Sequence, residues 1–302
     1  MFQEYKTYLE SFMTDFDFPT EARIELGEAY ETVFSDVTLL QELANAFEIY
    51  RADKNKGFPE LMGVCKQATN DKNVHIYVTC ALVLVLATKI SKVHYQAEQI
   101  PLSVWKSNFL DLKYKLIECK LVKGIWGIFV SDWYFGFLNV SRFTFGKLQF
   151  EIAKLGCDYH KNSITLTSES PVINVHIPRT GTGLTPQDVE DACAEAANFF
   201  KEKYAIEPVV FVCNSWLLYP ENKKMLKPTS NLYSFISRFD VIRVKEYSDY
   251  KEVWRLFDCD YTGDVSRLPA DTSLRRAYID RIKRGEKIGS GYGVFIYNPI
   301  RK

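Results

Sequence analysis

The chain has 302 residues, 47% hydrophobic and 15% aromatic, which is enough apolar material for two globular cores. Its 38 basic and 38 acidic side chains cancel, so no overall field draws nucleic acid or an anionic membrane. Seven cysteines without a C-x-x-C pair read as reduced thiols, and Met1-Phe-Gln-Glu-Tyr-Lys6 lacks the basic start and apolar run of a secretory signal. The expectation is a cytoplasmic protein with no nucleic-acid or membrane partner, its oligomeric state unread.

From Met1 to about Leu121 the apolar spacing is helical, which predicts a helical N-terminal domain over 1–121 and a second domain over 122–302. Ile24, Ala29, Val33, Leu39, Leu40, Leu43, Phe47 and Tyr50 mark helical sequence that splits at Ser35-Asp36, a natural cap. Asn55-Lys-Gly-Phe-Pro59 reads as a loop. Helices over about 71–96 and 101–120 follow. The apolar run from Ile76 to Ala87 is too short to span a bilayer and reads as a buried helix. Lone His75 and His94 read as packing or surface residues.

An aromatic segment from Lys123 to Leu138 reads as one more helix. The period then changes to two. Segments 143–146, 147–153 and 164–167 alternate and predict a three-stranded antiparallel meander, with Gln149 and Glu151 on one face of the second strand. In Pro171–Pro178 the alternation puts Ile173, Val175 and Ile177 on one face and Val172, Asn174 and His176 on the other. Arg179-Thr-Gly-Thr-Gly183 is a turn. Thr185-Pro186-Gln187-Asp188 supplies a cap, a first-turn proline and an acid for a helix running to about Lys203. The next strand, Pro208–Trp216, turns polar at Asn214-Ser215.

A strand-helix-strand crossover of this length joins parallel strands and brings their carboxyl ends to one edge. His176 and Asn214-Ser215 are therefore expected near one another. The helix amides and dipole beyond the glycine turn face the same edge, a place for phosphate or an oxyanion.

Two helical pieces fill 221–239, the second capped by Ser230. A strand over 240–245 and a short helix over 248–257 come next. Asp258-Cys-Asp-Tyr-Thr-Gly-Asp264 begins like a calcium loop, but Pro269 stands where a glutamate is needed, so it reads as a turn and no metal is expected. A capped helix spans 271–282. Gly289–Gly293 reads as a glycine-rich lead into a last strand, 294–297. The fold class is α+β: an all-helical domain, then a mixed sheet flanked by helices.

The runs Phe145-Gly-Lys-Leu-Gln-Phe-Glu151, His176-Ile-Pro178, Cys213-Asn-Ser-Trp-Leu-Leu218, Ser230-Asn231 with Arg238-Phe239, and Leu268-Pro269 with Thr272-Ser-Leu-Arg-Arg-Ala277 resemble, over the whole chain, a bacterial family of two-domain acyltransferases. That family couples a helical amino-terminal domain to one similar to the Gcn5-related N-acetyltransferases (GNAT). The resemblance implies an acyl-CoA (acetyl-CoA) co-substrate and acyl transfer to the amine of a small-molecule acceptor. It also implies a Gln/Arg-x-x-Gly-x-Gly/Ala turn whose amides hold the pyrophosphate. Gly181 and Gly183 fit that turn, with Ile177, Arg179, Thr180, Thr182, Leu184 and Thr185 around them, but the basic position falls on Pro178 and Arg179 comes one residue late.

Acyl transfer to an amine needs a base, oxyanion donors and an acid for the thiolate. His176 is the expected base with Glu151 in reserve. Asn214 would orient the acceptor or the oxyanion, and Ser215, Tyr219 and Tyr233 are candidate acids. Cys213 as a nucleophile is the weaker reading. The competing reading of the chain is a GNAT-like binding or regulatory module that has lost the chemistry.

Overall fold

A computed structural model describes residues 1–161 and 164–298. The chain forms two compact units, Met1–Phe143 and Thr144–Lys302.

The first unit is helical: α1 (Phe2–Asp15), α2 (Thr20–Phe34), α3 (Val37–Ala52), α4 (Lys54–Lys72), α5 (Ile76–Ala97), α6 (Leu102–Lys123) and the single turn α7 (Phe135–Leu138). Asp36 starts α3 as expected, its carboxylate accepting from the Thr38 and Leu39 amides. The expected loop at 55–59 is instead the first turns of α4. Asp53 caps it by accepting from Asn55 and Lys56, and Gly57 lies flush on the Tyr50 backbone, where a Cβ would come within 2.2 Å of a Cα. Helix α5 is long and apolar enough to cross a membrane by composition, and 72% of its apolar window is buried inside the protein. Helices α1 to α4 and α6 pack around it. Its polar groups are satisfied internally: Tyr8 and Thr88 pair at 2.8 Å, and Trp105 donates to Ser91 at 2.8 Å.

The aromatic segment is not one helix. Gly124 ends α6 in the left-handed region at φ +74°, and the chain crosses as irregular backbone, Ile128 donating to the Tyr77 carbonyl at 2.8 Å, before a 3₁₀ turn at Ser131–Tyr134. Tyr50 and Tyr95 donate to the carbonyls of Leu138 and Phe137. These bonds tie the segment to the helices before it. The division therefore falls at Phe143/Thr144, later than the 121/122 boundary expected from sequence.

Strand β1 (Arg142–Phe145) carries the chain across that division. The second unit then contains β2 (Leu148–Lys154), β3 (Tyr159–Lys161), β4 (Ile164–Leu166), β5 (Pro171–His176), α8 (Pro186–Tyr204), β6 (Val210–Ser215), α9 (Pro220–Met225), α10 (Asn231–Ile236), β7 (Asp240–Glu246), α11 (Trp254–Phe257), α12 (Ser273–Lys283) and β8 (Gly289–Ile296). Among the described residues, six strands form one mixed sheet in the order β1-β2-β5-β6-β8-β7. Its β5–β6 pair is parallel, while β2–β5, β6–β8 and β7–β8 are antiparallel.

The predicted meander is corrected at its third strand. β4 folds back on β3 as a separate hairpin, and β2 pairs directly with β5. Tyr159 and Leu166 of that hairpin bury themselves on Val172, Val210, Val212 and Val294, which is why their alternation looks like that of a sheet strand. Helix α8 buries Val189, Cys193, Ala196 and Phe200, and Phe199 meets Phe145 at 5.1 Å, so the helix covers the Phe150 face of the sheet.

The glycine run 289–293 is strand, not loop. A Cβ on Gly291 would lie 2.2 Å from the Leu218 carbonyl oxygen, so the close crossing of the chain excludes any side chain there. Around α11 and α12, Val253, Phe257, Leu274, Tyr278 and Ile282 make a second small core.

Candidate active site

The sheet is not evenly paired where β5 meets β6. The parallel ladder joins Ile173 to Phe211 and Asn174 to Val212 and stops there. On the outer sides pairing continues, from β2 to β5 as far as Gln149 with His176 and from β6 to β8 as far as Ser215 with Gly291. The strands thus lose each other as partners just where the side chains turn polar.

Beyond β5 the chain enters a cleft of about 340 Å³ lined by Ile177, Pro178, Arg179, Thr180, Gly181, Thr182, Leu184 and Lys147. Gly181 sits at φ +75°. Thr180 Oγ1 donates to the Thr182 carbonyl, but among the described residues none of the five amides from Thr180 to Leu184 donates to a protein acceptor. The Thr185 amide is taken. It donates to Asp188 Oδ2 at 2.8 Å while Thr185 Oγ1 accepts from the Asp188 amide, closing the capping box of α8 around Pro186. The hydroxyl and amide of Thr185, and then Lys147, hold the Asp188 carboxyl down at about 2.

Two cations border this turn. Arg179 grips Asp258 with both terminal guanidinium nitrogens, and Asp258 is shared with Arg275 at 2.7 Å. Lys147 lies at the tip of the β1–β2 hairpin, and its ammonium donates to the Gly183 carbonyl and to Asp188 Oδ2, each at 2.9 Å. Its position was not legible in sequence, because it depends on the hairpin tip packing on α8, where a Cβ on Gly146 would meet Ala192 at 3.4 Å.

On the other face of β5 the register sets Glu151 opposite Asn174 and Gln149 opposite His176. His176 Nε2 lies 2.7 Å from Glu151 Oε1, and Asn174 Nδ2 donates to the same oxygen at 3.3 Å. A carboxylate only accepts, so this geometry puts an imidazole proton on Nε2. Both side chains are about one-fifth exposed, 20% for His176 and 23% for Glu151. Asn174 Oδ1 is buried without a hydrogen-bond partner among the described residues.

The remaining candidates lie elsewhere in the second unit, with these surroundings. Asn214 is exposed and sits opposite Tyr292. Ser215 Oγ accepts from the Leu217 amide as the cap of a 3₁₀ turn. Tyr219 is buried and donates to Glu246 at 3.4 Å; burial raises its hydroxyl above the ordinary range. Tyr233 heads α10 with Lys223 over its ring at 5.0 Å, and its hydroxyl has no protein partner among the described residues. Cys213 is sealed in the sheet, and burial pushes its thiol up to about 12, so it cannot supply a thiolate nucleophile near neutral pH. Among the described residues no cluster of His, Cys, Asp or Glu could hold a metal ion.

Residues 7–140 match an N-acyltransferase N-terminal domain and residues 143–295 a GNAT-like C-terminal domain, which makes this an acyltransferase by class. The chain belongs to the family in which those two domains follow one another. No curated protein sequence matches it significantly. Among solved structures, an acyltransferase mutant in complex with octanoyl-CoA superposes with a TM-score of 0.73 at 17% identity, over 95% of this chain and 87% of that one. An acyltransferase in complex with decanoyl-CoA and teicoplanin gives 0.63 at 17% identity, over 95% and 98%. Likeness at that identity establishes the shared fold.

Proposed function

We propose that the protein transfers an acyl group from an acyl-CoA thioester to the amine of a small-molecule acceptor. The observation that carries this reading is the row of five amides from Thr180 to Leu184, unengaged among the described residues, which leads into α8 beside a cleft and leaves main-chain donors available to a dianion. The end of the β5–β6 ladder supports it: beyond Asn174 and Val212 the two strands lack each other's hydrogen bonds, and the amides of a pantetheine arm can replace them. That two structures of the same fold hold octanoyl-CoA and decanoyl-CoA supports the choice of donor.

In the proposed reaction the acceptor ammonium first loses a proton to His176, whose imidazolium Glu151 stabilises at 2.7 Å. The free amine attacks the thioester carbonyl, a C–N bond forms, the C–S bond breaks, and the thiolate takes a proton. Ser215 is occupied as a cap and Tyr219 is tied to Glu246, which leaves Tyr233 as the acid.

The test is release of free CoA thiol from acetyl-CoA and octanoyl-CoA across a panel of primary amines. His176→Ala should lower turnover by roughly 10²- to 10⁴-fold with CoA affinity nearly unchanged, and Gly183→Asp, which adds a negative charge to the turn, should abolish CoA binding. Unchanged turnover in the first variant removes the base assignment. Unchanged affinity in the second removes the cofactor site. Tight CoA binding with no turnover on any amine would make the protein a binding module.

A further inference from the structure

The helix N-terminus that should attract the pyrophosphate already holds an anion of its own. Asp188 is the third residue of α8, and as the acid of the capping box its carboxylate sits against the Thr185 amide, next to the free amide row. An ionised carboxylate at that place repels a second anion. The turn's own basic residue does not relieve this, because Arg179 points to Asp258, which it shares with Arg275. Lys147 does. Its ammonium is 2.9 Å from Asp188 Oδ2 and 2.9 Å from the Gly183 carbonyl, so the charge that cancels Asp188 is also fixed on the turn itself. An ammonium carries three N–H donors, and two are used here. Lys147 lines the same cleft as the amide row.

We propose that Lys147, reaching in from the β1–β2 hairpin, is the cation that receives the pyrophosphate of the acyl donor, and that Arg179 is a structural strut to Asp258. The assignment rests on the reading of the cleft as an acyl-CoA site. It reverses the roles that the turn pattern suggests, where the basic residue belongs to the turn.

The experiment is calorimetric titration of the full chain, wild type and Lys147→Met, with CoA and with dephospho-CoA, which keeps the pyrophosphate and lacks the 3′-phosphate. Lys147→Met should weaken both ligands equally, by about tenfold or more, and the loss should shrink at about 0.5 M salt, where exposed charges are screened. Adding Asp188→Asn to Lys147→Met should restore part of the affinity, and Arg179→Ala should cost less than Lys147→Met. Melting curves confirm that the variants are folded. Unchanged affinity in Lys147→Met, a loss confined to CoA, or a loss that salt does not touch each overturns the assignment. If wild type binds neither ligand, the acyl-CoA reading itself fails rather than the role of Lys147.

Discussion

Asp188 titrates far below an ordinary carboxyl because its charged form accepts from the Thr185 hydroxyl and amide and faces the Lys147 ammonium. Its folded pKa, about 2, lies below the unfolded value near 4. The charged group therefore stabilises the folded protein above about pH 4, and that contribution fades as the pH falls toward 2. Asp188→Asn should accordingly melt below wild type at pH 7, with the gap closing in acid; a gap that persists at pH 2 to 3 would show that charge is not its source. Strand alternation places Glu151 and His176 each on a polar strand face, where they are expected as reserve base and base. Their contact at 2.7 Å was not legible there, because it requires β2 to pair with β5, and the sequence placed an alternating segment between them. The expected neighbour of His176, Asn214, belongs to the far side of a ladder that ends before reaching it.

At the scale of elements, local chemistry decided what could be read. Helix α8 begins at the predicted proline and ends one residue past the predicted lysine, since Thr185, Pro186 and Asp188 specify its start within four residues. The start of α4 and the glycine run of β8 misread because Gly57 and Gly291 are there for contacts with distant chain, not for turns. Gly291→Ala should test this. Its Cβ would meet a backbone oxygen at 2.2 Å, and backbone at a strand crossing cannot step aside, so denaturant unfolding should show a loss of about 2 to 3 kcal/mol. A loss near zero would mean that β8 and the Leu218 segment part easily.

For the whole molecule, balanced charge and an ample apolar fraction foretold two ordinary cores, and the helical-then-mixed order of elements followed from the change of period near residue 143. The position of the division did not. It is set by tyrosine hydroxyls from α3 and α5 reaching the aromatic segment, and no window of sequence contains both partners. Because a ligand that binds the folded state alone stabilises by mass action, CoA at about a hundred times its Kd should add about 2.7 kcal/mol, a rise of roughly 4 to 8 °C in Tm for a chain of this class. Scanning calorimetry with and without CoA checks it, and no shift at any concentration would count against an acyl-CoA site.

The amide row from Thr180 to Leu184 has an evolutionary corollary. Donors that belong to the main chain survive any exchange of side chain short of proline, so Thr180 or Thr182 can drift without removing a single N–H. With the proposed donor bound there, selection would act on the course of the backbone more than on the side chains along it. Recognition of this kind can be inherited long after the letters that first encoded it have been overwritten.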